Sequence, residues 1–211
     1  QFIDRTFARE KSFFGTGCVA HVSMAHPVSS WLSGLAGDAC AALGLPHRRG
    51  GTYLVMEGPQ FSTKAESELY RAWGCDVIGM TNMPEAKLAR EAEMRYATVA
   101  MVTDFDCWHP EHDAVTVEAV IRTLTANAAN AKALVRAIAA LVKTPPKEPD
   151  CGCDTALDFA LITRPEARDP VMTAAAVVAV NPIARRPCRN SRRPSLPASN
   201  IALTRLTSES W

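Results

Sequence analysis

Three short β-rich runs, each followed by residues at helical spacing, decide what this chain can fold into. They are Thr52–Met56, Asp76–Met80 and the nearly all-apolar Tyr96–Thr103. Strands separated by helices cannot pair as hairpins, so they assemble as a parallel sheet covered by helices, an α/β layer fold. The intervening segments carry their own signals. Leu32, Leu35, Ala36, Ala39, Ala42 and Leu43 recur at helical spacing between Trp31 and Leu43, and Gly44 and Pro46 suit the stop. Thr63-Lys64-Ala65-Glu66 has the form of a capping box, which predicts a helix to about Trp73. Pro84 suits the first turn of a helix continuing to about Glu93. A long helix is predicted from about Thr116 to Val142, with Val117, Val120, Ile121, Leu124, Ala128, Ala131, Val135, Ile138 and Leu141 as its buried stripe. Gln1–Pro27 reads as irregular.

Charge removes several classes of function. The 211 residues carry 23 Lys+Arg against 22 Asp+Glu, a formal net charge of +1. A domain that binds nucleic acid through its whole surface needs a basic excess. No run approaches the ~18 apolar residues of a membrane span, and no basic start leads into an apolar stretch as in a secretory signal. The Cys residues are scattered apart from Cys151-Gly-Cys153, which suits reduced thiols in a cytoplasmic protein. Two cysteines one residue apart are too close for the usual zinc-binding pair, and ordinary thiols are expected there rather than a redox-active disulfide.

The last third changes character. Residues 144–149 read as a linker, and Ala156–Thr163 as one last strand or helix. Beyond it lie an Ala/Val run and a stretch of Arg, Pro and Ser with almost no apolar content, expected to be a solvated, disordered tail. The expected division is residues 1–163 as the folded domain and 164–211 as the tail.

In parallel sheets ligands gather at the carboxyl ends of strands. Two such ends are chemically loaded here: Met80-Thr81, and Asp104-Phe105-Asp106. A carboxyl group kept protonated in a cleft can donate a proton to a leaving group. The alternative is a carboxylate that caps a helix or turn. The window from Asp104 to Asp113 is dense in metal-ligand residue types, but His109 and His112 miss the zinc-helix spacing and Pro110 breaks a helix. A solvated polar loop without metal is the expectation. His21 alone carries little weight.

Three stretches are more specific: Thr52–Ser67 (TYLVMEGPQFSTKAES), Val77–Glu91 (VIGMTNMPEAKLARE) and Val102–Trp108 (VTDFDCW). They resemble the trimeric purine nucleoside phosphorylase superfamily, and within it the members that act on methylthioadenosine. The resemblance runs from Gln1 to about Thr163. It implies α/β/α layers with a mostly parallel mixed sheet, and a trimer or dimer of trimers as homo-oligomer. It also implies a reaction, methylthioadenosine plus phosphate giving adenine plus 5-methylthioribose 1-phosphate, a step of methionine and purine salvage. Phosphate is the co-substrate; no metal or organic cofactor is implied, nor a nucleic-acid or membrane partner.

Site residues follow from the same resemblance. Phe61 matches the residue that stacks near the purine, and Ile78 lines that pocket. Met80 matches the ribose contact and Thr81 a phosphate contact. Asp104 and Asp106 match the pair that bonds purine N7 and the 6-amino group, with Asp104 as the catalytic acid. An ionised carboxylate accepts from an exocyclic amine and repels a carbonyl oxygen, so Asp at both positions favours adenine. Ser62 and Val117 match positions linked to substrate preference. Val117, Val120 and Ile121 offer an apolar wall suited to a 5′-methylthio group. His21 matches a histidine lent across the trimer interface.

The resemblance departs at both ends. No counterpart of the family's N-terminal strands, Gly-rich phosphate loop, Arg-His-Gly segment or second phosphate-contacting segment is found in these residues, and the sequence after about Pro170 differs. The expectation is that this polypeptide alone is inactive. Three alternatives stay open: a purine nucleoside phosphorylase for other 6-aminopurine nucleosides, a nucleosidase that uses water, and a non-catalytic oligomerisation fragment.

Overall fold

The computed structural model describes residues 1–103, 105–109, 117–142, 151–170 and 202–203, with 117–120 and 202–203 described by backbone alone. Its centre is a three-stranded parallel sheet of β1 (Phe2–Arg5), β2 (Tyr53–Met56) and β3 (Val77–Gly79), in the order β1-β2-β3. Phe2 lies opposite Tyr53, and Tyr53 opposite Val77. All three strands therefore end at one edge, at Arg5, Met56 and Gly79. Strand β1 corrects the irregular reading of the first residues. Four residues of mixed polarity show no readable period, and β1 is defined by pairing with β2, a tertiary effect. Its neighbour β2 reads clearly because it lies in the middle: Leu54 and Val55 are fully buried.

Alternate residues of a strand face opposite sides of the sheet. Leu54 and Ile78 share one side and pack against Tyr70 of α2 (Lys64–Ala72). Val55 points the other way, to Met83, Ala86 and Ala89 of α3 (Asn82–Glu91) and to Tyr96. A helix on each face gives the expected α/β/α layering, and all named ladders are parallel. Among the described residues the antiparallel contact is a single bridge between Ala20 and Leu161.

Helix ends follow the sequence signals. Helix α1 (Ser30–Ala42) starts where the Ser29 hydroxyl accepts from the Leu32 amide at 3.1 Å. It ends where Gly44 turns to φ 65° and the Leu45 amide reaches back to the Cys40 carbonyl at 2.9 Å. In α2 the Thr63 amide donates to Glu66 Oε2 at 2.7 Å while the Glu66 amide donates to Thr63 Oγ1 at 3.3 Å. Thr63→Ala removes one side of this box and is expected to cost about 1 kcal/mol in urea unfolding. An unchanged midpoint would show that packing, not the cap, holds α2.

Helix α4 (Val117–Leu141) lies on α1, burying Ala131, Leu134, Ile138 and Val142 with Leu32, Ala36, Ala39 and Cys40. The predicted stripe is corrected in part: Leu134 enters the core, while Val135 and Leu141 are more exposed. The seam follows contact with α1 rather than apolar content. Strand β4 is shorter than its apolar run. Only Tyr96–Ala97 pair, with β5 (Ala202–Leu203), while Val99 is half-buried by side-chain packing instead. Ala156–Thr163 forms turns ending in the Leu161 bridge, neither strand nor helix. The linker at 144–149 and most of 164–211 lie outside the described residues. Within the latter, Pro165–Ala167 form a 3-10 turn.

Asp4 ties β1 to α3. Its side lies with Val55, facing α3, and it accepts from Lys87, from the Thr6 amide at 2.8 Å and from the Thr6 hydroxyl at 2.6 Å. Burial alone would raise its carboxyl pKa, but the Lys87 and Thr6 hydrogen bonds outweigh that and hold it well below the usual carboxylate range. A depressed folded pKa adds stability above the unfolded value of about 3.9 that is lost as pH falls below it. Melting temperature measured from pH 7 to 2 is therefore expected to fall more steeply below about pH 4 for the parent chain than for Asp4→Asn. Parallel curves would refute this role of Asp4.

Candidate active site

The carboxyl edge of the sheet is closed by one cation. The Arg9 guanidinium donates to the carbonyls of Met80, Met83 (2.7 Å), Met56 (3.3 Å) and Glu57 (2.6 Å). Its Nε also meets Glu57 Oε1 at 3.3 Å. Glu57 accepts the amides of Phe7 at 2.7 Å and Ala8 at 3.5 Å. The Phe7 amide foremost, aided by Ala8 and Arg9 and opposed by burial, holds the Glu57 carboxyl below its ordinary range. The segments that follow β1, β2 and β3 are thus tied to one another through Arg9 and Glu57.

Around this latch lie several predicted residues. Gly58 has φ 67°, and a Cβ there would come within 2.6 Å of Met80 Sδ, so glycine is what lets Met80 lie across the β2 end. The Ser62 hydroxyl reaches Met56 Sδ at 3.8 Å. Thr81 precedes α3 without a side-chain capping bond, so its hydroxyl is not used by the helix. Met80, Thr81 and Ser62 are therefore brought to the β2–β3 end together. Phe61 is 68% exposed beside them in sequence, open to contact from solution.

The second loaded strand end is reached through α2. Asp106 accepts from the hydroxyl of Ser67, a fully buried residue. Burial, with the Asp106 carboxylate beside it, pushes the Cys107 thiol up. Phe105 stacks on His109 at 4.8 Å and meets Trp108 edge-on at 6.0 Å. Arg71, one turn beyond Ser67, lies 3.6 Å over the Trp108 ring.

Other predicted residues lie elsewhere. Ile78 sits in the packed layer between β3 and α2, not on an open surface. Ile121 is 55% exposed. Asp104 and the side chains of Val117 and Val120 lie outside the described residues. His21 is exposed, its amide bonded to the Ala160 carbonyl at 2.8 Å. Among the described residues no group of three or more His, Cys, Asp or Glu converges as a metal site, though part of the Asp104–Asp113 window lies outside them. No helix among the described residues is long and apolar enough to cross a membrane.

Cys151 and Cys153 correct the expectation of ordinary thiols. The turn at Gly152, φ 62°, brings their Cα atoms to 5.3 Å, and the sulfurs are joined.

Arg9, Glu57 and Ser67 were not legible as site residues. Glu57 directly follows a β-rich run, so the strand-end rule itself would have flagged it. Arg9 and Ser67 belong to no spacing pattern.

Residues 1–140 match the family model described as the phosphorylase superfamily. The S-methyl-5′-thioadenosine phosphorylase of Rhodospirillum rubrum is 67% identical over 172 residues, covering 82% of this chain and 58% of that protein. That of Bradyrhizobium diazoefficiens is 66% identical over 173 residues, covering 81% and 58%. The chain thus spans 58% of the length of these relatives. Among solved structures, a methylthioadenosine phosphorylase from an antarctic soil metagenomic library superposes with a TM-score of 0.77 at 44% identity, covering 86% of this chain and 63% of that one. The Schistosoma mansoni methylthioadenosine phosphorylase in complex with adenine gives 0.68 at 27% identity, covering 77% and 64%.

Proposed function

The chain belongs to the phosphorylase superfamily, and from that premise we propose that it forms the base- and sugar-binding part of a phosphorylase of 5′-methylthioadenosine. The products are adenine and 5-methylthioribose 1-phosphate. The observation that carries the reading is the Asp106 carboxylate, seated on α2 by Ser67, in a chain 67% identical to a protein named for that reaction.

The chemistry follows the charge. Breaking the glycosidic bond puts positive charge on the ribose and negative charge on the purine. Asp104 gives a proton to N7 as adenine leaves, while Asp106 accepts from the 6-amino group. A carboxylate accepts from an amine and repels a 6-oxo group, which selects adenine. Phe61 stacks on the base and Ile78 supports it from the sheet layer beneath. Met80 contacts the ribose. Ser62, Val117, Val120 and Ile121 shape the 5′ end, to which His21 is lent by a neighbouring subunit of a trimer or of a dimer of trimers. Phosphate, contacted by the free hydroxyl of Thr81, attacks the anomeric carbon from the face opposite the purine. No cofactor enters these steps, and the reaction takes place in the cytoplasm.

The test is calorimetric titration of the chain with methylthioadenosine and with inosine, with and without phosphate, alongside an assay of released adenine. Binding of methylthioadenosine in preference to inosine is the expected result. Equal binding of both, or of neither, overturns the reading. Adenine release that ignores phosphate identifies a nucleosidase.

A further inference from the structure

Ser67 is an odd choice for its position. It opens the first full turn of α2, its amide bonded to the Thr63 carbonyl at 3.0 Å, and it is fully buried. Serine is a mediocre helix former, and a buried hydroxyl is costly unless it is hydrogen-bonded. Alanine would serve the helix better. The hydroxyl instead crosses to the Asp106 carboxylate, 39 positions along the chain. Four residues after Ser67, on the same helical face, Arg71 covers Trp108. Two contacts one turn apart therefore dock residues 105–109 onto α2. The helix is itself fixed to the sheet by Tyr70, between Ser67 and Arg71, which packs on Leu54 and Ile78.

We propose that Ser67 is a positioning residue for base recognition: its hydroxyl holds Asp106 Oδ2 so that the other carboxylate oxygen is presented to the exocyclic amine of a 6-aminopurine. This rests on the proposed function. Ser67 does not touch the base. It fixes the direction in which Asp106 accepts, and Arg71 on Trp108 keeps the loop from turning away.

The test compares the parent chain, Ser67→Ala, Asp106→Asn and the double variant. Adenine and phosphate binding are measured separately by calorimetry. Hydrogen exchange of the peptide spanning Phe105–His109 is followed without ligand. Ser67→Ala is expected to weaken adenine binding by about tenfold, leave phosphate binding unchanged, and speed exchange in 105–109. In the Asp106→Asn background the same change is expected to cost less than about twofold, because the two residues act as one unit. Rescue by Ser67→Thr, which keeps the hydroxyl, supports the proposal.

Parallel losses of adenine and phosphate binding, or full additivity in the double variant, would reduce Ser67 to a structural residue and overturn the proposal. So would adenine binding that Ser67→Ala leaves intact. If the parent chain binds no adenine, the functional reading falls and this inference falls with it. That outcome is distinct from parent binding that survives Ser67→Ala.

Discussion

An Arg9→Ala variant melts roughly 10 °C below the parent chain. Four backbone carbonyls, of Met56, Glu57, Met80 and Met83, lose the donor they share. At about 1 kcal/mol for each carbonyl left without a partner, the total is about 4 kcal/mol. The two strand ends they belong to then separate, and Met80 and Thr81 lose their position against Gly58. Arg9→Lys is expected to recover less than half of this, because an ammonium cannot fork to four acceptors as a planar guanidinium does. Thermal unfolding and phosphate titration of both variants check the argument. A Lys variant as stable as the parent would show that charge alone, not the forked geometry, closes the edge.

Asp106→Ala is expected to lower adenine affinity by roughly 10- to 150-fold, the range for losing a hydrogen bond to a charged group at about 1.5–3 kcal/mol. The direction matters as much as the size. Hypoxanthine carries an oxygen where adenine carries an amine, and on the proposed reading the Asp106 carboxylate repels it. Removing the carboxylate should leave hypoxanthine binding unchanged or improved, so the preference between the two bases collapses. Melting temperature should fall by several degrees as well, at about 1–3 kcal/mol, because the buried Ser67 hydroxyl loses its acceptor. Equal losses for both bases would place Asp106 outside base recognition.

The sheet was legible wherever strands are buried on both faces. Leu54, Val55 and Ile78 stand in continuous apolar runs, and the helices between them carry caps that act locally, as at Thr63 and Ser29. Strand β1 was not legible, because Phe-Ile-Asp-Arg becomes a strand only by lying beside β2. The same limit hid Arg9. An arginine in an irregular stretch has no local signature, and its importance comes from carbonyls about 47 to 74 positions away. The apolar run after Tyr96 signalled burial correctly but not pairing, since burial can come from side-chain packing as well as from a ladder.

The pairing of β1 with β2 also sets an order of events during folding. Each β1 residue lies opposite one some fifty positions later, so this ladder cannot form until α1 and β2 have been synthesised. Closing so long a loop costs entropy before any ladder bond returns it, and parallel topologies of this kind fold slowly. The β1–β2 ladder therefore closes later than α1, whose caps are local.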